Sequence, residues 1–408
     1  MHATYDLGLC ITDVVANDSP EKQEQRFKMF RDIGIRSVRM ELEWEAVEPQ
    51  KGIIVKPQKL SHFHTAVRYG MRLKLIGGTI MNPPNWFFEE HPEAYMLDHN
   101  GKRSLHNGIS YWMPTVTEYT ANALENTFRI LQEEKLLEAV DALIVDMGTA
   151  GEPLYPSGWT QVANGLDEGG CEDTMWCYAA NAQRDFQIKM QGKYGCIAAA
   201  NAAWGTHYTD FSALTVPKPN GSVKGALWAD TLYWYRDVKR AFEEAQLQEY
   251  KRIADRYSDG RIRLVLYLPG WDVRDEQYEE AIAAGTACPM IRLMADNRFI
   301  LYLAQKYDCL LQHTGVNDDW EAEHIRLCCD QLGMSDVPIF GENAGDYNNA
   351  KDPERLVEII CQNRYAGIDY THSRHLFLSD GVTPSPLFVP FAKALQNLQV
   401  YLQEQHNE

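Results

Sequence analysis

The sequence predicts an α/β protein of the (β/α)8, or TIM, barrel class, with parallel strands that alternate with helices. Two observations lead to this prediction. Short apolar runs, followed closely by Gly, Asn, Asp or Glu, alternate along the chain with longer amphipathic stretches. Eight such units occur within 408 residues, and this number favours a closed barrel over an open sheet.

The predicted strands are short and mostly apolar, as expected for strands that are buried on both faces. In chain order they are Thr4–Ile11, Ser37–Leu42, Arg72–Ile76, Ala142–Asp146, Arg263–Leu268, Cys309–Gln312, Val337–Phe340 and Gly367–Tyr370. The helices are predicted at Pro20–Ile33, Pro57–Tyr69, Val116–Glu134, Asp230–Arg256, Met290–Lys306, Trp320–Leu332, Pro353–Arg364 and Pro386–Glu404.

The largest departure from this alternation lies between the fourth and fifth predicted strands. Residues 153–259 are too many for one crossover helix, and they contain several helical patterns. We therefore expect one catalytic barrel over residues 1–408, with 153–259 as a helical insertion on the catalytic face, where such barrels usually vary.

Net charge, hydropathy and cysteine usage limit the partners and the compartment that we expect for this protein. The net charge of −18 argues against nucleic acid and anionic membranes as partners, and no apolar run is long enough to span a membrane. The nine cysteines are scattered and form no C-x-x-C pair, and no signal peptide is visible, which favours a cytoplasmic setting. A symmetric homo-oligomer is expected only because such assemblies are common.

Motifs for several other chemistries are absent from the sequence. It contains no G-x-x-x-x-G-K-[ST] phosphate loop, no H-E-x-x-H zinc pair and no G-x-S-x-G nucleophile elbow. We therefore expect neither a metal nor a cofactor.

Two glutamates stand out because each follows a predicted buried strand and has glycine beside it. Glu152 follows the fourth strand, and Glu342 follows the seventh. The C-terminal ends of barrel strands face one pocket, and two carboxylates there are the minimum needed to cleave a glycosidic bond. Glu152 is predicted as the acid. Glu342 is predicted as the nucleophile of a retaining enzyme or the water-activating base of an inverting one.

Several polar and aromatic residues near the same strand ends are candidate substrate contacts. An indole ring can stack on a sugar, although any single Trp more often belongs to a core. His and Asn side chains can bond sugar hydroxyls, but they also cap helices and close turns. The candidates are Trp44, Asn82, Trp86, Tyr267, Trp271, His313, Asn343 and His372.

Three stretches resemble the family 42 β-galactosidases of clan A of the glycoside hydrolases. Arg39–Pro49 (RMELEWEAVEP) is similar to the second strand of that family and its W-x-x-x-E-P signature. Leu75–Trp86 (LIGGTIMNPPNW) is similar to its third strand and the loop that follows. Lys193–Phe211 contains the string NAAWGT, which resembles the family's N-x-A-W-G-T motif. The resemblance implies a glycosidase barrel that acts on β-galactosides or related β-linked glycosides with retention.

The segments around the two glutamates resemble a different family. Clan-A enzymes usually carry Asn just before the acid/base glutamate, whereas this chain has Gly151. Gly148–Ser157 (GTAGEPLYPS) instead resembles the acid segment of β-amylases, and the string E-N-A at Glu342 resembles their second catalytic segment. The alternative is thus an inverting, β-amylase-like hydrolase of α-1,4-glucans. A carbohydrate-binding barrel without catalysis is the third alternative.

The clan-A resemblance also implies a role for Arg39, near the end of the second strand. Enzymes of this clan use an Arg there to hold the nucleophile of the seventh strand, and a nearby cation favours an ionised carboxylate. On the other interpretation, Arg39 pairs with Glu41 or Glu43 at the barrel rim.

Overall fold

The computed structural model describes residues 2–13, 18–80, 82–104, 108–156, 175–218, 225–269, 280, 282–283, 294–316, 319–343 and 352–407. Its centre is a closed barrel of parallel strands that neighbour one another in chain order, so the predicted fold class is confirmed. The strands are β1 (Leu9–Thr12), β2 (Ser37–Glu41), β3 (Arg72–Ile76), β4 (Val140–Ile144), β5 (Arg263–Leu268), β6 (Leu310–His313), β7 (Ile339–Glu342) and β8 (Gly367–Tyr370).

Helices surround the barrel and fill the connections between its strands. None of those in the described part of the chain is long and apolar enough to cross a membrane. They are α1 (His2–Leu7), α2 (Pro20–Ile33), α3 (Trp44–Val47), α4 (Leu60–Arg68), α5 (Asn85–Glu90), α6 (Val116–Glu133), α7 (Ala180–Tyr194), α8 (Ile197–Trp204), α9 (Ala226–Ser258), α10 (Asn297–Tyr307), α11 (Asp319–Gln331), α12 (Pro353–Gln362) and α13 (Phe388–Asn407).

Local sequence signals account for the limits of α2, which matches its prediction. The Ser19 hydroxyl accepts a hydrogen bond from the Lys22 N–H, and Pro20 occupies the first turn, where no N–H is needed. Gly34 ends the helix with a φ of 98°, a left-handed conformation that glycine adopts without steric cost.

The predicted first strand is wrong at its start. Residues His2–Leu7 form α1, and only Leu9–Thr12 form β1. The helix lies beneath the barrel, where buried Leu7 packs against the inward-facing Ala142 and Val265. Tertiary packing at the barrel floor thus overrides the apolar alternation that favoured a strand.

Strand alternation divides the side chains into an outer and an inner set. In β2, Val38 and Met40 point outward into the large core between strands and helices. Arg39 lies between them and points into the barrel, where it bonds Glu342 from β7. The barrel interior is apolar toward the floor and charged near the C-terminal ends of the strands, and this charged end positions the candidate site.

The long connection between β4 and β5 contains α7, α8 and α9, within the predicted 153–259 insertion. Leu247 and Tyr250, near the end of α9, pack on the barrel, so this part serves as the crossover helix. Trp228 and Tyr235, near its start, belong to a separate aromatic cluster. The placement of this stretch on the catalytic face stays a prediction.

A fully buried charge cluster ties α2 and α4 to the ends of β1 and β8. The Asp13 carboxylate lies 3.0 Å from an Arg26 Nη and 2.8 Å from the His62 Nε2, and it accepts from the Ser373 hydroxyl at 2.5 Å. Burial alone would raise the pKa of Asp13, but the His62 hydrogen bond and the Arg26 charge outweigh it and lower the pKa to about 2.

We expect Asp13→Ala to reduce the free energy of unfolding by about 3 kcal/mol, the lower end for a broken buried pair, because Arg26 loses its buried counter-charge but keeps Asp18 at 2.5 Å. Urea unfolding at pH 7 measures this loss. Asp255→Ala is the matched control, since it removes an exposed carboxylate 3.0 Å from Lys251 and should change stability by less than about 0.5 kcal/mol. Similar losses in both variants would contradict this role for the cluster.

Candidate active site

Glu342 is the last residue of β7, and its buried carboxylate accepts four hydrogen bonds. Arg39 donates two of them in a bidentate arrangement, from Nη1 to Oε2 at 2.6 Å and from Nη2 to Oε1 at 2.7 Å. Gln312 Nε2 donates to Oε2 at 2.6 Å, and the Thr371 hydroxyl donates to Oε1 at 2.8 Å. Donors from β2, β6 and the residue after β8 therefore fix this carboxylate in place.

Arg39 was predicted either to hold Glu342 or to pair at the rim, and the structure places it on Glu342. Its Nη1 also donates to the Tyr267 hydroxyl at 3.0 Å. The two rim carboxylates have other partners, because Glu41 accepts from the Asn82 amide at 3.1 Å and Glu43 pairs with Lys59.

Glu152 follows β4 and lies partly exposed, with its carboxyl bonded by the Thr314 hydroxyl that follows β6. Burial raises the pKa of Glu152 to about 7, and the Thr314 hydrogen bond opposes this rise. The Glu342 charge raises the pKa further, while Arg39 lowers it. A raised pKa lets Glu152 keep its proton at a higher pH than an ordinary glutamate, and a protonated carboxyl can act as a general acid.

The loop that carries Glu152 has a compact backbone that depends on glycine. A Cβ on Gly148 would lie 2.3 Å from the Leu154 carbonyl oxygen, so only glycine fits there. Ala150 and Gly151 are both left-handed, with φ of 55° and 81°. The residue before Glu152, where clan-A enzymes usually have Asn, therefore has a conformation that favours glycine.

The aromatic candidates have different outcomes. Trp44 is only 2% exposed and packs against Trp86 and Phe87, which favours the alternative that this Trp belongs to a core; its sugar contact stays a prediction. Tyr267 is 3% exposed and bonds Arg39, so it supports the arginine and offers no open stacking face. Trp86 is partly exposed, although its N–H already donates to the Glu48 carbonyl. Trp271 lies outside the described residues.

The structure also places the polar candidates in different surroundings. His313 faces outward from β6 and bonds the Tyr365 hydroxyl at 2.9 Å, so the structure does not bring it to the two glutamates, and its sugar contact stays a prediction. Burial lowers the pKa of His313 to about 3. Asn343 is fully buried, and both ends of its amide bond the backbone of Thr371, which favours the alternative that it closes a turn; its sugar contact stays a prediction. His372 is partly exposed just beyond β8 and stays a predicted contact.

Asn82 and Glu41, near the end of β2, form a hydrogen-bonded pair. Both are partly exposed, and Glu41 follows Arg39 by two residues on β2. Burial, and next the neighbouring Glu43 carboxylate, raises the pKa of Glu41 to about 7. Asn82 thus stays a predicted substrate contact, and it also holds a third carboxyl, that of Glu41.

Sequence reasoning missed Gln312, Thr314 and Thr371, which bond the two glutamates. Uncharged polar residues at strand ends carry no strong catalytic signal. It also missed Lys74 and Asp369, although a charge in the middle of a buried apolar strand requires a partner and could have revealed them. Among the described residues, no group of three His, Cys, Asp or Glu side chains is placed to hold a metal ion.

Curated relatives come from two groups of sugar-cleaving enzymes. A Beta-galactosidase of Thermus thermophilus is 26% identical over 242 residues, which cover 56% of this chain and 33% of the relative. A Thermophilic beta-amylase of Thermoanaerobacterium thermosulfurigenes is 28% identical over 175 residues, which cover 40% of this chain and 30% of the relative. The matched part of the chain thus spans about a third of each relative's length.

Solved structures of both groups share the fold. The catalytic domain of the beta-amylase from Paenibacillus polymyxa has a TM-score of 0.75 at 16% identity, covering 95% of this chain and 98% of that chain. A beta-galactosidase from the psychrophilic Marinomonas ef1 has a TM-score of 0.66 at 15% identity, covering 97% of this chain and 60% of that chain.

The family model decides the classification. The model of glycoside hydrolase family 42, described as Beta-galactosidase, matches residues 16–147 and 158–285. These two blocks make up more than half of the chain and include Arg39 and the barrel strands from β2 to β5. They leave out Glu152 and Glu342, around which the sequence resembles β-amylases. With more than half of its residues matched, the chain belongs to the glycoside hydrolase family 42 of β-galactosidases.

Proposed function

We propose that this protein hydrolyses a β-linked glycoside, with β-galactosides as the leading substrate class, and that it does so with retention of configuration. Family membership and the β-galactosidase relatives support the substrate class. The observation that carries the catalytic assignment is the bidentate Arg39–Glu342 pair, accompanied by Glu152 with a pKa near 7. One carboxyl group is thus held in place by the Arg39 guanidinium, while the other can carry a proton.

In the proposed mechanism, protonated Glu152 donates its proton to the glycosidic oxygen as the bond to the anomeric carbon breaks. A Glu342 oxygen attacks the anomeric carbon and forms a covalent glycosyl ester. Glu152, now ionised, takes a proton from water, and that water attacks the anomeric carbon and releases Glu342. Arg39, Gln312 and Thr371 keep the carboxylate oriented for the first step.

One observation favours a second candidate function, the cleavage of an α-glucan with inversion of configuration. Both candidate glutamates lie in β-amylase-like strings and outside the family-model match. On this alternative Glu342 activates a water molecule directly, and no ester forms. The two mechanisms require different separations of the carboxyl groups, roughly 5–5.5 Å for retention and 6.5–9.5 Å for inversion.

Proton NMR of the first-formed anomer tests the proposal. β-Galactosides, other β-glycosides and maltooligosaccharides would each be hydrolysed in turn, with the Glu342→Gln variant as a control for contaminating activity. A β-linked substrate that first releases β-product supports retention. An α-linked substrate that first releases β-product supports the inverting alternative. A lack of hydrolysis of all three classes would overturn the enzymatic assignment.

We also propose a reducing, cytoplasmic compartment for the protein. In the part of the chain that the structure describes, six cysteines have free thiols: Cys10, Cys177, Cys196, Cys309, Cys329 and Cys361. Unpaired thiols persist in reducing compartments, whereas secreted proteins commonly pair them. A homo-oligomer stays a prediction, which light scattering of the purified protein would test.

A further inference from the structure

Lys74 is a charged residue in the middle of β3, fully buried inside the barrel. Its ammonium group lies 3.1 Å from Gln312 Oε1 and 3.2 Å from Asp369 Oδ2. It also lies 4.3 Å from the centre of the Phe340 ring. A buried ammonium is costly unless it is paired, so these contacts explain how the barrel accommodates Lys74.

The Lys74 contact determines which way the Gln312 amide points. An ammonium group only donates hydrogen bonds, and an ionised carboxylate only accepts them. Gln312 lies between the two, so its oxygen must face Lys74 and its NH2 must face Glu342. The structure has this arrangement, with Gln312 Nε2 donating to Glu342 Oε2 at 2.6 Å. The amide thereby transmits the position of Lys74 to the carboxylate.

Asp369 forms a second connection between Lys74 and the same carboxylate. Burial would raise the pKa of Asp369, but the Arg39 and Lys74 charges outweigh it and lower the pKa. Asp369 Oδ2 is closer to Lys74, at 3.2 Å, than to Arg39 Nη1, at 3.8 Å. Since Lys74 is the nearer cation, Arg39 can direct both of its Nη atoms to Glu342.

We propose that Lys74 is a positioning residue for the nucleophile: through Gln312 and Asp369 it holds Glu342 and its Arg39 partner in reactive geometry. This inference rests on the proposed function, because it assumes that Glu342 reacts. Lys74 contacts Gln312 and Asp369 and acts on the reaction through these neighbours.

Lys74→Met tests the proposal, because methionine can occupy the space beside Phe340 without its charge. The Gln312 amide then loses its orientation, and the Asp369 carboxylate, which has lost its nearer cation, competes with Glu342 for Arg39. We expect kcat to fall by on the order of 10²-fold, as for misplacement of a reacting group by about 1 Å, with KM changed less than about threefold. 4-Nitrophenyl β-galactoside serves as substrate, or maltotetraose if the NMR experiment identifies an α-glucan hydrolase.

Double variants distinguish this role from general loss of stability. Lys74→Met combined with Gln312→Met should be about as slow as the slower single variant, since both break the same connection. Asp369→Asn added to Lys74→Met should restore part of the lost kcat, because it removes the competing charge. Lys239→Met is the matched control: it removes another buried lysine, 1% exposed on α9, and should leave kcat unchanged.

An unchanged kcat in folded Lys74→Met would overturn the proposal, and so would losses that multiply in the Lys74→Met/Gln312→Met double variant. If Lys74→Met does not fold, Gln312→Met tests the same connection, and an unchanged kcat there overturns it equally. Failure of the proposed function has a different signature. It would appear as near-normal turnover by Glu342→Gln, whereas failure of this inference leaves that variant inactive.

Discussion

Glu342→Gln is expected to lower kcat by on the order of 10⁵-fold, as removal of an enzymic nucleophile does. An amide cannot form the glycosyl ester that retention requires. It would also place an NH2 group against donors, because Arg39, Gln312 and Thr371 all donate to this side chain. Turnover of 4-nitrophenyl β-galactoside measures the loss, and circular dichroism establishes that the variant is folded.

Chemical rescue separates the nucleophile from the base of an inverting enzyme. In Glu342→Ala, added azide can occupy the space of the missing carboxylate and attack the anomeric carbon. From a β-galactoside with a good leaving group, a retaining enzyme would then give the α-glycosyl azide. Near-normal turnover by Glu342→Gln would remove Glu342 from the mechanism altogether.

Glu152→Ala is expected to have the second-largest effect, and its size should depend on the leaving group. General acid catalysis contributes roughly 10²–10⁴-fold, and substrates with poor leaving groups depend on it most. Hydrolysis of lactose should therefore fall by about this factor. Formation of the glycosyl ester from 4-nitrophenyl β-galactoside, measured as the burst of nitrophenol, should fall by less than about tenfold. Equal losses on both substrates would contradict the acid role.

The pH dependence provides an independent test of Glu152. Burial raises its pKa to about 7, so kcat/KM should fall as the pH rises through about 7 and the proton is lost. Thr314→Val removes a hydrogen bond that lowers this pKa, and it should move the alkaline limb to higher pH. If the pH at which kcat/KM falls is unchanged in Thr314→Val, the fall reports the titration of a group other than Glu152.

The strand pattern was predictable because burial on both faces leaves distinct apolar runs. Three strands, Arg72–Ile76, Arg263–Leu268 and Gly367–Tyr370, have the predicted bounds. The same burial limits what the sequence shows about side-chain direction. When both faces are apolar, alternation no longer shows which residues point inward, and an error of one residue reverses every side chain. His313 was a candidate only because it follows the sixth strand, and Gln312 is the residue of β6 that bonds Glu342.

Partners across the barrel could not be predicted from one sequence. Lys74 and Asp369 each interrupt an apolar run, but no local pattern indicates that β3 and β8 bring them within 3.2 Å. The outcome for Trp44 depends likewise on tertiary packing, because α3 and α5 bring Trp44 against Phe87. The sequence does identify the residue types that the site needs. Their mutual contacts follow from barrel closure.

The charge distribution within this network makes the two half-barrels electrostatically complementary. Its cations, Arg39 and Lys74, come from β2 and β3, while its anions, Glu342 and Asp369, come from β7 and β8. Two copies of the half that contains β1–β4 would bring together only the cations of this network, and two copies of the half that contains β5–β8 only its anions. One half of each kind balances these charges. If the chain were cut between β4 and β5, each fragment would therefore associate preferentially with the other kind of half-barrel. Pairs of identical halves would be destabilised by charge repulsion at the place where the active site forms.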